Sequence, residues 1–192
     1  TENSYGVVLN SGSELINNGK IILDNKGVFV VSNSDSEIVN NTGSDITMLG
    51  SDSIGFFALN GGKIINNASV IGDSGTGNIG IYNKGGSTIN NGVIKVGDSR
   101  IVDIENPYLN SYSVGIYGEE VSDLQNTANV EMGANAVGIY VKNNINEAVN
   151  KGELISTKDD AIGIYGEQAL LRNDGNITLS GNNSIGIVAV LG

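Results

Sequence analysis

The chain is 192 residues long, enough for one domain or one repeat array, and its 10 Lys and Arg against 21 Asp and Glu give a net charge of −11, with no His and no Cys. That balance excludes the basic patch of a nucleic-acid binder and argues against anionic membranes, and without His or Cys there is no Ser-His-Asp or Cys-His triad, thiolate zinc site or disulfide. Twenty-eight Gly against a single Pro, in a background of Ile, Val, Asn and Ser, is the vocabulary of strands and turns, and no apolar run reaches the ~18 residues a membrane span needs.

In chain order, the first element is Tyr5-Gly6-Val7-Val8, and its pattern returns at Lys26-Gly27-Val28-Phe29 and Ile54-Gly55-Phe56-Phe57. It sharpens to aliphatic-Gly-Ile-Tyr at Ile79–Tyr82, Val114–Tyr117, Val137–Tyr140 and Ile162–Tyr165, and closes at Ile185-Gly186-Ile187-Val188. The glycines, at 6, 27, 55, 80, 115, 138, 163 and 186, lie on average about 26 residues apart. Between these copies runs a second phrase, Asn-x-Gly/Ala-x-aliphatic. It begins at Asn17, Asn66, Asn90, Asn126, Asn150 and Asn173, with a copy at Asn41 that carries one extra residue before Ile46. Two phrases in step over seven periods mark an internal repeat.

Each period holds three short stretches of apolar alternation, the signature of strands. Three strands and three polar turns per period predict one coil of a parallel β-helix, so the chain is expected to be all-β, a single solenoid over 1–192 with about seven coils. Right-handed coiling is expected, as parallel crossovers usually take. At the strand spacing of ~4.8 Å the rod would be roughly 34 Å long. Asn17, Asn41, Asn66, Asn90, Asn126, Asn150 and Asn173 would superpose as a structural ladder at one corner, with the following Gly permitting a tight turn through positive φ. By parity, the aliphatics flanking each phrase glycine face the core, and the glycine and the ring two residues on face out.

The Gly-Ile-Tyr copies at 80–82, 115–117, 138–140 and 163–165, together with the Asn-x-Gly-x-Ile phrases, resemble the passenger repeats of large type V secreted autotransporter adhesins of the fusobacterial outer-membrane type. The resemblance covers almost the whole chain. It implies a right-handed parallel β-helix displayed outside the cell, attachment to other bacteria or to host cells, and anchoring to the outer membrane through a translocator domain absent from this sequence. With neither an initiator Met nor a signal peptide, the chain reads as a piece of a longer passenger. The family offers no catalytic or ligand residues to carry over.

Three groups of residues are candidates for function. The outward column reads Val8, Phe29, Phe57, Tyr82, Tyr117, Tyr140, Tyr165 and Val188, and its rings, Phe57 to Tyr165 above all, could bind a sugar or a protein partner or could simply stack on one another. The longest interval, from Gly80 to Gly115, holds an insertion at about 98–112. There Arg100, Asp103, Glu105 and Tyr108 are candidate recognition residues, or parts of a loop tolerated because it disturbs no coil. The acidic groupings Glu119-Glu120, Asp159-Asp160 and Asp98/Asp103 recur in no column with a basic partner and read as solvated surface.

The expected function is therefore a non-enzymatic adhesion segment whose partner is a cell-surface protein or glycan, with no cofactor, metal or nucleic acid and no insertion into a membrane. The alternatives are a passive stalk and, more remotely, a β-helix carbohydrate-active enzyme. Both ends of the segment should expose unpaired coil edges, so end-to-end stacking of the excised piece is expected.

Overall fold

The structure, a computed structural model, describes residues 3–10 and 12–191. Among these described residues 22 strands pair in parallel into three sheets, each period contributing one strand to each. The sheets have eight, seven and seven strands, so the chain makes seven complete coils and the first strand of an eighth.

The first, here the tyrosine sheet, takes Tyr5–Asn10, Val28–Asn33, Ile54–Leu59, Ile79–Lys84, Val114–Glu119, Val137–Lys142, Ile162–Glu167 and Ile185–Val190. The second, the asparagine sheet, runs from Glu14–Asn17 to Leu171–Asn173, and the third from Lys20–Leu23 to Ile177–Leu179.

Because coils stack in register, like side chains meet like. Val30, Phe56, Ile81, Ile116, Ile139 and Ile164 form one buried column, Ile38, Ile64 and Leu124 belong to a second, and Ile46, Val70, Ile94, Val130 and Leu154 form a third. Each fully buried aliphatic or aromatic side chain contributes about 1.5–3 kcal/mol, and these columns offset the entropy of ordering a coil that has no stability of its own.

The register corrects three expectations. Val28 pairs with Ile54 and Val31 with Phe57, so Val31, not Phe29, continues the outward ring column. Phe29 stands instead in the glycine column, 3% exposed, with its ring edge-on to Phe56 at 6.0 Å. Gly27 lies just before the strand.

The phrase glycines also point inward rather than outward. Gly80 and Ile81 are both buried while Ile79 and Tyr82 face out, so the strand bends where the repeat carries glycine. A Cβ on Gly80 would lie 2.8 Å from Ile94 Cγ2 and 2.6 Å from the carbonyl oxygen of Gly115 in the next coil. Gly115 meets Val130 Cγ1 at 2.5 Å and the Gly138 oxygen at 2.6 Å in the same way. Close approach of the backbone, not a left-handed conformation, demands glycine at these sites.

The third correction concerns the corner. The ladder runs Asn17, Asn40, Asn66, Asn90, Asn126, Asn150, Asn173, with each Nδ2 donating to the Oδ1 of the next at 2.7–2.8 Å. Asn41 is not in it. The turn after Asn40 is longer than the others, and Ser44 Oγ enters the corner to donate to Asn40 Oδ1 at 2.6 Å. Asn41 lies outside, where its Nδ2 donates to Asn18 Oδ1 at 2.9 Å in a second, exposed column. In the regular coils the second Nδ2 proton goes to the carbonyl two residues on, as from Asn90 to Gly92 at 2.9 Å and from Asn126 to Ala128 at 2.8 Å. From Asn66 to Asn150 every amide is therefore used twice as donor and accepts from its neighbour, which is what permits a buried polar file. The turn glycine again answers to space: a Cβ on Gly92 would meet the Ala68 carbonyl oxygen at 2.0 Å.

Candidate interaction surface

Three outward columns make up the exposed face of the tyrosine sheet. The first is aliphatic, with Val28, Ile54, Ile79, Val114, Val137, Ile162 and Ile185 in register, of which Val114 and Val137 are covered and buried. The second is the ring column. The third carries Lys84, Glu119, Lys142 and Glu167 in succession.

Phe57, Tyr82, Tyr117, Tyr140 and Tyr165 are brought together as expected, with successive centroids 4.9, 4.8, 4.6 and 5.2 Å apart and interplanar angles of 4–19°. Parallel in-register strands force this face-to-face offset stack, and its consequence is chemical. The faces of the inner rings are covered by one another, so a ligand meets ring edges and hydroxyls rather than a stacking platform. Beside the rings, Tyr112, Val114, Val137 and Ile162 complete a trough of about 460 Å³ with Tyr117, Tyr140 and Tyr165.

The charged column is tied to the rings. Glu119 accepts from Tyr82 Oη at 3.1 Å and pairs with Lys84 Nζ at 2.8 Å, and one period pair later Glu167 accepts from Tyr140 Oη at 2.9 Å and pairs with Lys142 Nζ at 2.9 Å. Burial pushes the Tyr82 and Tyr140 phenols well above their ordinary pKa, and the hydrogen bonds to Glu119 and Glu167 add to it. Burial likewise raises Tyr117. The lysine hydrogen bonds, with those from the tyrosines, hold Glu119 and Glu167 below the usual carboxylate range. Tyr117 and Tyr165 make no hydroxyl hydrogen bond among the described residues, so the ring column alternates bonded and free hydroxyls. Sequence reasoning missed this column, although Lys84, Glu119, Lys142 and Glu167 all lie four residues after a phrase glycine, where alternating signs were there to be seen.

Residues 98–112 leave the coil as a hairpin closed by an antiparallel bridge between Arg100 and Ser111. The structure divides the four candidate residues of this loop into two kinds. Arg100 turns back onto the rod, with its Nη2 3.2 Å from Asp52 Oδ2 and 2.6 Å from Ser111 Oγ. Asp103 holds the tip together by accepting from Asn106 Nδ2 at 2.6 Å and from the Glu105 amide at 2.9 Å, bonds that keep its carboxyl below the usual range. Asn110, unmarked in the sequence, accepts from the amides of Val102 and Asp103 and donates to the Asp103 carbonyl. Glu105 and Tyr108 face solvent. Tyr108 is 80% exposed, and with it stand apolar neighbours that the sequence did not single out: Ile104 is 86% exposed and Val102 62%.

The acidic groupings are occupied in local structure. Asp98 Oδ1 accepts from the Ala134 amide at 2.7 Å, Asp159 Oδ1 from the Asn182 amide at 2.7 Å, and Glu119 belongs to the ladder just described. Among the described residues no three acidic side chains converge as a cation site would require.

No curated protein and no solved structure shows significant similarity to this sequence. A family model does: the BigA third pectate lyase-like domain matches residues 1–189, a stretch that takes in all three sheets and the hairpin. A parallel β-solenoid with this coil, matched almost end to end, places the chain in the family of the BigA third pectate lyase-like domain, a β-helix domain of a bacterial surface protein.

Proposed function

We propose that this chain is a non-enzymatic attachment segment of a bacterial surface protein, displayed outside the cell and tethered to the outer membrane by a translocator outside these 192 residues. The rod presents the 98–112 hairpin to a protein or glycan on another cell. One observation carries the reading: an apolar tip, with Ile104 and Tyr108 more than three-quarters exposed, is held by a dense network of its own side chains. A loop that is merely tolerated has no need of such a network. A contact surface gains from it, because rigidity reduces the ordering cost of binding and an exposed aromatic supplies an anchor. The absence of His, and the use of Asp98, Asp103, Glu119 and Asp159 as hydrogen-bond acceptors in the framework, support attachment over catalysis.

The test is binding of the labelled chain to bacterial and host cells, compared with an Ile104→Ser/Tyr108→Ser variant. Each side chain buried at a contact is worth about 1.5–3 kcal/mol, so binding should fall at least about tenfold, while the thermal midpoint stays put because neither side chain packs on a coil. Equal binding by the variant and the parent would refute the hairpin as the contact, and no binding by either would favour a stalk. Turnover of an acidic polysaccharide would overturn the non-enzymatic reading.

A further inference from the structure

We propose that the tyrosine face binds the same face of a second copy of this chain, antiparallel, about a two-fold axis that lies along the strands between Glu119 and Lys142. The inference uses no residue of the hairpin and stands apart from the attachment reading.

It begins with the charged column. Read toward the C-terminus the order is Lys84, Glu119, Lys142, Glu167, and read backward every sign is inverted. A two-fold axis along the strands reverses the rod and keeps each column opposite itself. Lys84 then meets Glu167 of the other copy and Glu119 meets Lys142, giving four opposite-charge contacts across one isologous interface. All four side chains lie on the accessible face, with 19–39% of their surface open.

The rings match under the same operation. Tyr117 comes opposite Tyr140, and Tyr165 opposite Tyr82. One member of each pair has a hydroxyl with no partner among the described residues of its own chain. The other already donates to a glutamate, and its oxygen remains free to accept. Beyond the charged block apolar residues meet: Leu59 faces Val190, Phe57 faces Val188 and Ile54 faces Ile185.

Other arrangements lose this match. A slip of one coil sets Glu119 on Glu119 and Lys84 on Lys142, and an axis along the rod lays the charged column over the aliphatic one. Rods paired in this way point in opposite directions, the arrangement that two facing surfaces require.

The experiment compares the parent chain with a variant carrying Lys84→Glu, Glu119→Lys, Lys142→Glu and Glu167→Lys together. The swap preserves the alternation within a chain, and so its internal ion pairs, but inverts every contact with a parent chain. Sedimentation velocity should show a dimer for each protein alone. Native mass spectrometry of an isotopically marked mixture should show mixed dimers at least about tenfold below the statistical share, because each mixed contact sets like charges together. If the fourfold swap folds poorly, Lys142→Gln alone removes two of the four contacts and should weaken the dimer measurably. A monomer at every concentration, statistical mixing, an unchanged Lys142→Gln dimer, or growth beyond two copies as end-on stacking would give overturns the proposal.

Discussion

The asparagine corner and the tyrosine face are built by one repeat and put to different use. At the corner, side chains 0–2% exposed from Asn40 to Asn150 close on themselves, each amide donating up and accepting from below, and each from Asn66 on donating down its turn as well. At the tyrosine face the same register yields half-exposed rings, alternate hydroxyls without a partner and charges open to solvent. Periodicity alone therefore does not say whether a column is structural. What decides is whether the column leaves hydrogen-bonding capacity and apolar surface unspent, and only the tyrosine face does.

The largest effect that would break this contrast lies in the corner. Asn90→Ala strips a buried acceptor from Asn66 and a donor from Asn126, and each buried group left unpaired costs about 1–3 kcal/mol. A loss of about 3 kcal/mol or more is expected in urea unfolding. Next is Gly115→Ala, whose new methyl group would press on Val130 and the Gly138 carbonyl, an overpacking of about 1–3 kcal/mol read in the same assay.

Acid and alkali sharpen the contrast, because asparagine does not titrate. Glu119 and Glu167 have lowered folded-state pKa values, so their contribution is present above the ordinary value of about 4.3 and is lost as pH falls below it through the lowered folded-state values. Tyr82 and Tyr140 are raised, so theirs is present below about 10 and is lost as pH rises past it. Thermal midpoints should drop at both extremes, and Tyr82→Phe with Tyr140→Phe should flatten the alkaline limb.

The smallest expected effect is Asn41→Ala. Its side-chain bond lies at the surface, so the substitution should cost no more than about 0.5 kcal/mol, although the sequence phrase ranks Asn41 with Asn90.

That last pair shows what could be read in advance. The coil, its three strands and the file of rings were legible because period-two alternation and a repeated phrase specify register. Asn40 was hidden by the adjacent Asn41: only Asn41 has glycine two residues on, as the phrase asks, whereas Asn40 holds the register because its turn is longer and the Ser44 hydroxyl enters the corner. Phe29 misled for a related reason, since Gly27 imitates the phrase two residues ahead of the true glycine position. The inward turn of the glycines was out of reach of parity, because the strand bends at Gly80 and its counterparts and sets two successive residues inside. In the hairpin, residue type announced Arg100 and Asp103, yet the distant Asp52 ties Arg100 to the rod and the loop's own Asn106 and Asn110 tie Asp103 to the tip, which leaves Ile104 and Tyr108 exposed.

The corner, the ring file and the charged column all depend on the stacking register, and NMR of a sample labelled with 15N only at asparagine tests it most directly. The expected result is an unbroken path of side-chain amide contacts from Asn17 through Asn40, Asn66, Asn90, Asn126 and Asn150 to Asn173, slow to exchange with solvent, with Asn41 linked to Asn18 and exchanging fast. A contact joining Asn41 to Asn66, or rapid exchange along the whole file, would contradict it.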